Sequence, residues 1–419
     1  MGSYGVSSFT LTVTETIAAG TGLTTTINGS ASTYHVTASD TANSIATNVA
    51  AGLAKSSHWS AHVSANKITI TSAAAGTALT VTTGMAAPVL KANLYVSGRF
   101  LHDRHGNQVV LRGVDLPLLD DWSFPGSDSL SELAKTGANA VRIQWYMNYG
   151  DASRPAYSIT DLGSFIDQCV AAQIVPIVML ADDTCQSDPT LVNTQMVPWW
   201  TSAAVAAVLK PRQEYLILNL ANELGYYRWA DDSAAALTAY GNAYKTAIAS
   251  MRGAGYTLPL MIDAPDCGTT FDAFTTIGAQ LVAADPLGNV LLSTHAYWAA
   301  YDGRPFVATA VAANLPVVFG EIANKQDETA ADGSTEYGYY DLDGSGQNHP
   351  TTTGYTYQAF LTTLLADQIG WLAWSWHPDA CDARNMSSDG TFANLTAYGE
   401  DIVNNATYGL RATAVRVAP

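Results

Sequence analysis

The sequence predicts a (β/α)8 barrel preceded by a small β-rich module, and three observations carry that prediction. From about residue 93 onward, short apolar runs alternate with helical stretches, which is the pattern of a parallel sheet wrapped in helices. Eight such runs can be counted, the number that closes a barrel. The chain has 419 residues, too many for one ordinary domain but enough for a barrel of roughly 250 residues or more and one small module.

The module comes first, over residues 1–84, and it is rich in Thr, Ser and Ala. FTLTVTET (9–16) alternates as a strand, and LTTTINGSASTYHVTAS (23–39) reads as a hairpin region with Asn28-Gly29 as its turn. Asp40 is expected to cap a short helix whose Ile45, Val49 and Leu53 recur at helical spacing. KITITS (67–72) and ALTVTT (78–83) complete the unit as two further strands, and 85–92 reads as a linker to the larger domain over 93–419. In composition the module resembles those of phage tail and other surface-exposed proteins.

The eight barrel runs are VVLRGVD (109–115), NAVRIQW (139–145), IVPIVMLADD (174–183), YLILNLANE (215–223), LPLMIDA (258–264), NVLLSTHAY (289–297), LPVVFGE (315–321) and IGWLAWSW (369–376). Helical stretches fall between them, for example 162–173 and 236–255. Chemistry in such barrels sits at the C-terminal strand ends. Polar residues gather there: Asp182 and Asp183, Asn222 and Glu223, His295 and Tyr297, and Glu321.

Composition narrows the partners. Nineteen basic against 36 acidic residues give a net charge of −17, which argues against nucleic acid and against anionic membrane surfaces. A neutral polysaccharide is compatible with that charge. No apolar run reaches 18 residues, so no transmembrane helix is expected, and MGSYGVSSF has neither the basic nor the apolar region of a signal peptide. An extracellular or particle-associated location is expected nonetheless; the oligomeric state is left open. Cys169 lies in an apolar helical stretch and reads as a buried thiol, whereas Cys185, Cys267 and Cys381 follow strands, where one pair could be bridged. No Cys/His metal spacing appears, and no cofactor is expected.

Two runs end in a glutamate, Glu223 at the fourth strand and Glu321 at the seventh. These strands face each other across the barrel mouth, so the two carboxyls can converge. Glycosidic cleavage needs such a pair, one carboxyl to protonate the leaving oxygen and one carboxylate to attack the anomeric carbon. Arg142 stands inside an apolar strand, where a charge requires partners.

With these residues in hand, the sequence resembles glycoside hydrolase family 5 over about residues 94–410, most nearly its bacterial β-mannanases and then its endoglucanases. The motifs that carry the likeness are YVSGRFLHDRHGNQVVLRGVD, KTGANAVRIQW, LNLANE, MIDAPDCG, AADPLGNVLLSTHAYW, LPVVFGEIANK and GWLAWSW, in the family's order. The resemblance implies a retaining endo-β-glycosidase acting on β-mannan or a β-1,4-glucan. It makes Glu223 the acid/base and Glu321 the nucleophile. It implies that Asn222 bonds the sugar 2-OH, that His295 and Tyr297 support the nucleophile, and that Arg142 holds its carboxylate. Trp374 is implied as the aromatic floor under the cleaved sugar, and Trp376 as either a second such ring or core.

Three departures stand out. Asp182 or Asp183 occupies the end of the third strand, where the family usually has histidine. Leu224 follows the acid/base in place of proline. The loop after the seventh strand is long and polar (327–354), with Tyr337, Tyr339 and Tyr340 as candidate subsite rings. Its Asp341-x-Asp343-Gly344 faintly resembles a calcium loop, but Thr352 stands where a closing Glu is needed, so a solvated insertion is the preferred reading. Among the loop aromatics, Trp145 and Trp298 follow strands directly and are expected in the cleft, whereas Trp199 and Trp200 precede a helix and read as core. Two competing functions follow: a depolymerase of bacterial exopolysaccharide, phage-associated by analogy with the module, and an inactive carbohydrate-binding barrel.

Overall fold

A computed structural model describes residues 8–13, 17, 20–37, 40–54, 58–73, 79–86, 91–119, 129–147, 157–297, 303–324, 356–377 and 381–417. The chain divides into two compact units, Met1–Ala92 with His102–Gln108, and Asn93–Leu101 with Val109–Pro419.

The larger unit is a closed barrel of eight parallel strands: β1 (Arg112–Leu116), β2 (Ala140–Trp145), β3 (Val175–Leu180), β4 (Ile217–Asn219), β5 (Leu260–Asp263), β6 (Val290–Ala296), β7 (Val317–Ile322) and β8 (Gly370–Ala373). Each pairs with the next, and β8 closes onto β1 with Trp371 opposite Arg112. All eight come from the eight apolar runs. These runs show no polar face because strands inside a helix-wrapped barrel are buried on both sides.

The pleat sorts each strand's residues between two cores. Ala140, Val175, Ile177, Ile217, Met261, Leu291, Val318 and Leu372 form one cluster that fills the lower lumen. Their neighbours Val141, Val178, Leu218, Ile262, Leu292, Phe319 and Trp371 join the other cluster, with the helices. Fully burying each such aliphatic side chain is worth about 1.5–3 kcal/mol. The helix Ile159–Ala171 shows the logic locally. Ser158 and Asp161 form a capping box, and Leu162, Ile166 and Cys169 are its buried stripe. Cys169 is the buried thiol expected, and burial pushes its pKa up to about 12.

The smaller unit has two three-stranded antiparallel sheets. One orders Ser8–Thr12, Lys67–Ser72 and Trp59–Ser64; the other orders Ser30–His35, Gly22–Ile27 and Val81–Ala86. The Asn28-Gly29 turn falls where expected, with both residues at positive φ. Three details differ from the sequence reading. Trp59–Ser64 is an additional strand, whose signal was diluted by the polar Ser60, His62 and Ser64 that alternate with Trp59, Ala61 and Val63. The last strand runs through Met85 and Ala86, into the residues read as linker. Thr41, not Asp40, is the N-cap of Ala42–Leu53; Asp40 instead accepts from Tyr34, Ser44 and Thr37.

Candidate active site

Arg142 is the hub of the barrel mouth. The β2 pleat that sends Val141 and Ile143 outward turns Arg142 into the lumen, where it is fully buried. Its guanidinium donates to Asn219 Oδ1 (2.8 Å), Asp115 Oδ1 (3.1 Å), Glu321 Oε1 (2.6 Å), Asn222 Oδ1 (2.7 Å) and Asp263 Oδ2 (3.1 Å). Burial alone would weaken its hold on the proton, but Asp263, Glu321 and Asp115 outweigh that and keep it cationic. Burial drives the Asp115 carboxyl well above the usual range despite Arg142, whereas Asp263, also opposed by burial, is held down to about 2 by Arg142 and His295. Asp115, Asn219 and Asp263 were not singled out from sequence. Their signal was the one that exposed Arg142: a polar residue inside an apolar strand run.

Glu321 reaches the same centre through an irregularity. In β6–β7 pairing, Thr294 stands opposite Phe319 and His295 opposite Glu321, so Gly320 is skipped. Strict alternation after the outward Phe319 would point Glu321 away from the lumen. The register shift turns it inward, the common use of a bulge beside a site. Gly320 is required there, since a Cβ would run into Ser293 Oγ. Tyr297 donates its hydroxyl to Glu321 Oε2, while Arg142 holds Oε1, so the carboxylate is gripped at both oxygens. Burial and then the charge of Glu321 raise the Tyr297 pKa well above its ordinary value, which keeps the phenol a donor.

Glu223 lies just beyond β4 in the left-handed region, at φ 51°. Its Oε1 is 2.6 Å from His295 Nδ1, and its side chain is 12% exposed. Burial first, and then the charge of Glu321, push its pKa up to about 7. His295 is fully buried; burial would lower its pKa, but Glu321 and Asp263 raise it well above normal. The Glu223–His295 pair therefore holds protons up to neutral pH as a unit. Gly268 makes room for the imidazole: it sits at φ 74°, and a Cβ would come 2.6 Å from His295 Cγ. One ligand atom from each of Glu223, His295 and Glu321 lies within 4.8 Å of the others.

A disulfide joins Cys185 to Cys267, leaving Cys381 a buried thiol. Cys185 Sγ lies 3.2 Å from Glu223 Oε2. A disulfide sulfur has no hydrogen to give, so this is packing contact unless the carboxyl carries the proton.

The remaining sequence candidates are distributed unevenly. Asn222 is in the centre: its Oδ1 accepts from Arg142, and one Nδ2 hydrogen goes to Thr184 Oγ1 (3.1 Å), the other having no acceptor among the described residues. Trp374 directly follows β8, only 8% exposed, and its backbone N–H bonds Ile322 O. Asp182 accepts from the backbone of Met147 at 2.8 Å, and burial raises its pKa. One aromatic expectation needs correction. Trp145 is a core ring, 3% exposed and 6.5 Å from Tyr157, because the β2 pleat turns it outward with Val141 and Ile143. For Trp376, left open between a second ring and core, the answer is core, at 0% exposed. Trp200 is core as expected, donating to Leu220 O, with half-buried Trp199 edge-on against it. Trp298, the tyrosines Tyr337, Tyr339 and Tyr340, and the calcium-like run from Asp341 lie outside the described residues.

Comparison with known proteins gives a concordant result. A family profile described as cellulase (glycosyl hydrolase family 5) matches residues 102–380, which contain both glutamates. A mannan endo-1,4-β-mannosidase of Cellvibrio japonicus (strain Ueda107) is 29% identical over 339 residues, 79% of this chain and 70% of that one. Another, from Salipaludibacillus agaradhaerens, is 27% identical over 77% of this chain and 94% of its own. The Thermomonospora fusca β-mannanase in its mannohexaose complex superimposes with a TM-score of 0.62 at 21% identity, covering 78% of this chain and 99% of that one. That likeness concerns the fold.

Proposed function

The chain belongs to glycosyl hydrolase family 5, a family of glycoside hydrolases, and we propose that it is a retaining endo-β-mannanase with Glu321 as nucleophile and Glu223 as acid/base. The observation that carries this reading is the approach of the two glutamates, with carboxyl oxygens within 4.8 Å. Retaining pairs stand about 5–5.5 Å apart, whereas inverting pairs need about 6.5–9.5 Å to admit a water.

Protonated Glu223 donates to the glycosidic oxygen as Glu321 attacks the anomeric carbon, so the leaving sugar departs neutral and a glycosyl ester forms on Glu321. Esterification removes the charge on Glu321, the second cause of the raised Glu223 pKa. Glu223, now ionised, takes a proton from water, and hydroxide attacks the same carbon, releasing the sugar with retained configuration. Arg142 and Tyr297 fix the nucleophile's orientation before the substrate arrives, so no reorganisation is needed during attack. The uncommitted Nδ2 hydrogen of Asn222 suits the sugar 2-OH, and Trp374 the pyranose face. Asp182 is assigned a substrate contact in place of histidine.

Mannan is favoured over β-1,4-glucan because the curated relatives above are named as mannan endo-1,4-β-mannosidases. Residues 1–84, with the strand that continues through Ala86, are assigned as an accessory module to a catalytic domain over 93–419. An extracellular location is supported by the disulfide, since such bonds persist in oxidising compartments. Among the described residues no helix is long and apolar enough to cross a membrane.

The test is reducing-end release from mannans, glucans, xylan and bacterial exopolysaccharides, with Glu321→Gln beside the wild type. Release from mannan, lost in the variant, with the first product NMR-visible as the β-anomer, is expected. Release from an exopolysaccharide alone would overturn the substrate; first-formed α-anomer would overturn retention.

A further inference from the structure

The Cys185–Cys267 bridge is more than a surface staple. Cys185 lies in the loop after β3 and Cys267 in the loop after β5, so the bond spans the two strands that flank β4, from which Glu223 emerges. The sulfur of Cys185 touches Glu223 Oε2, the carboxyl oxygen that His295 does not hold. Backbone bonds stitch the same loops together: Gly225 N–H to Gln186 O and Asp266 N–H to Gly225 O, both 2.8 Å. Cys185 (φ 60°), Glu223 (φ 51°), Asp266 (φ 56°) and Cys267 (φ 51°) all occupy the left-handed region, which non-glycine residues adopt only when their surroundings hold them there. Glu223 and three residues of the flanking loops share this constraint, and the disulfide is its covalent member.

We propose that the Cys185–Cys267 disulfide is a redox-addressable wall of the acid/base pocket, which positions Glu223 and keeps its outer oxygen dry. This rests on the assignment of Glu223 as acid/base. A disulfide presents an apolar, donor-free surface to Oε2. Reduction replaces that surface with two thiols and releases the loops. A trialkylphosphine supplies the electrons: phosphorus attacks one sulfur, the S–S bond breaks, water provides two protons and the oxygen, and two thiols and a phosphine oxide result. Each thiol is an S–H donor, and the freed loops admit water; both favour ionised Glu223. The other charged groups facing this carboxyl are Glu321 on β7, His295 on β6 and Asp263 on β5, and none of them changes.

The experiment measures the pH dependence of kcat and kcat/KM for the oxidised protein, for the phosphine-reduced protein with thiols counted, and for Cys185→Ala/Cys267→Ala. Reduction is expected to move the basic limb of kcat/KM down by about one pH unit. It should also lower kcat about tenfold with less change in KM, as a misplaced acid does. Re-oxidation with a small-molecule disulfide should restore both. The double variant has no S–H donor, so it should lose kcat with a smaller limb shift; it also serves if the bridge resists phosphine. Superimposable profiles for oxidised, reduced and double-variant protein, with only the melting temperature changed, would reduce the bridge to a staple. Glu223→Gln separates the two levels: full activity in that variant would overturn the acid/base assignment itself, whereas an inactive Glu223→Gln beside redox-insensitive profiles would overturn only the role of the disulfide.

Discussion

Two buried arginines on adjacent strands show how differently the ends of this barrel are built. Arg142 at the mouth meets Asp115, Asp263 and Glu321, so its charge is matched several times over. Arg112 at the opposite end is equally buried, yet among the described residues it donates only to the backbone carbonyls of Leu111 (3.0 Å) and Ile369 (2.6 Å), with the Trp371 ring centroid 5.6 Å away. Burial pulls its pKa down to about 10. One arginine organises carboxylates; the other plugs a floor. A barrel can bury charge at either end, but only the mouth surrounds it with groups that can react.

The contrast can be tested by breaking it at each end. Glu321→Gln should lower kcat on the order of 10⁵-fold, comparable to removing a nucleophile in other covalent hydrolases. A loss below about tenfold would show that the mouth's charges are structural, like those of the floor. Arg142→Met strands three carboxyl groups in the lumen and should cost about 3–5 kcal/mol in urea unfolding, together with activity. Wild-type-like stability there would mean that the hub is not what holds the mouth together.

The protonation of Glu223 sharpens the comparison further. Its folded pKa of about 7 lies above the ordinary 4.5, so the folded state binds this proton more tightly than the unfolded chain does. The stabilisation is full below pH 4.5 and is lost as pH rises through about 7. Relative to wild type, Glu223→Gln should therefore lack a fall in urea midpoint across that window. Parallel profiles would show that the carboxyl is ionised throughout. The smallest effect is expected at the floor. Arg112→Met takes one donor from Ile369 O and one from Leu111 O, which keeps the Trp371 N–H, and should cost about 1–2 kcal/mol while kcat stays at the wild-type value. A fall in kcat would erase the distinction between the ends.

Much of this was legible beforehand, for identifiable reasons. Eight apolar runs forecast eight strands because burial on both faces leaves no polar alternation to confuse them. Glu223, Glu321 and Arg142 were legible because a charge at the end of, or inside, such a run has few structural excuses. The aromatic expectations were weaker: Trp145 ends β2, but which side it faces depends on the pleat, and it faced the helices.

The sequence by itself therefore determined the fold class, the order of its elements and the pair of glutamates, since each of these is written in local pattern and spacing. Tertiary structure alone decided what lies between those glutamates. It decided the skipped Gly320 that turns Glu321 inward, the convergence of Asp115, Asn219 and Asp263 on one guanidinium, and the pairing of Cys185 with Cys267 across β4. These join residues up to 121 positions apart in the chain, and register and closure, which no local pattern encodes, bring them within bonding distance.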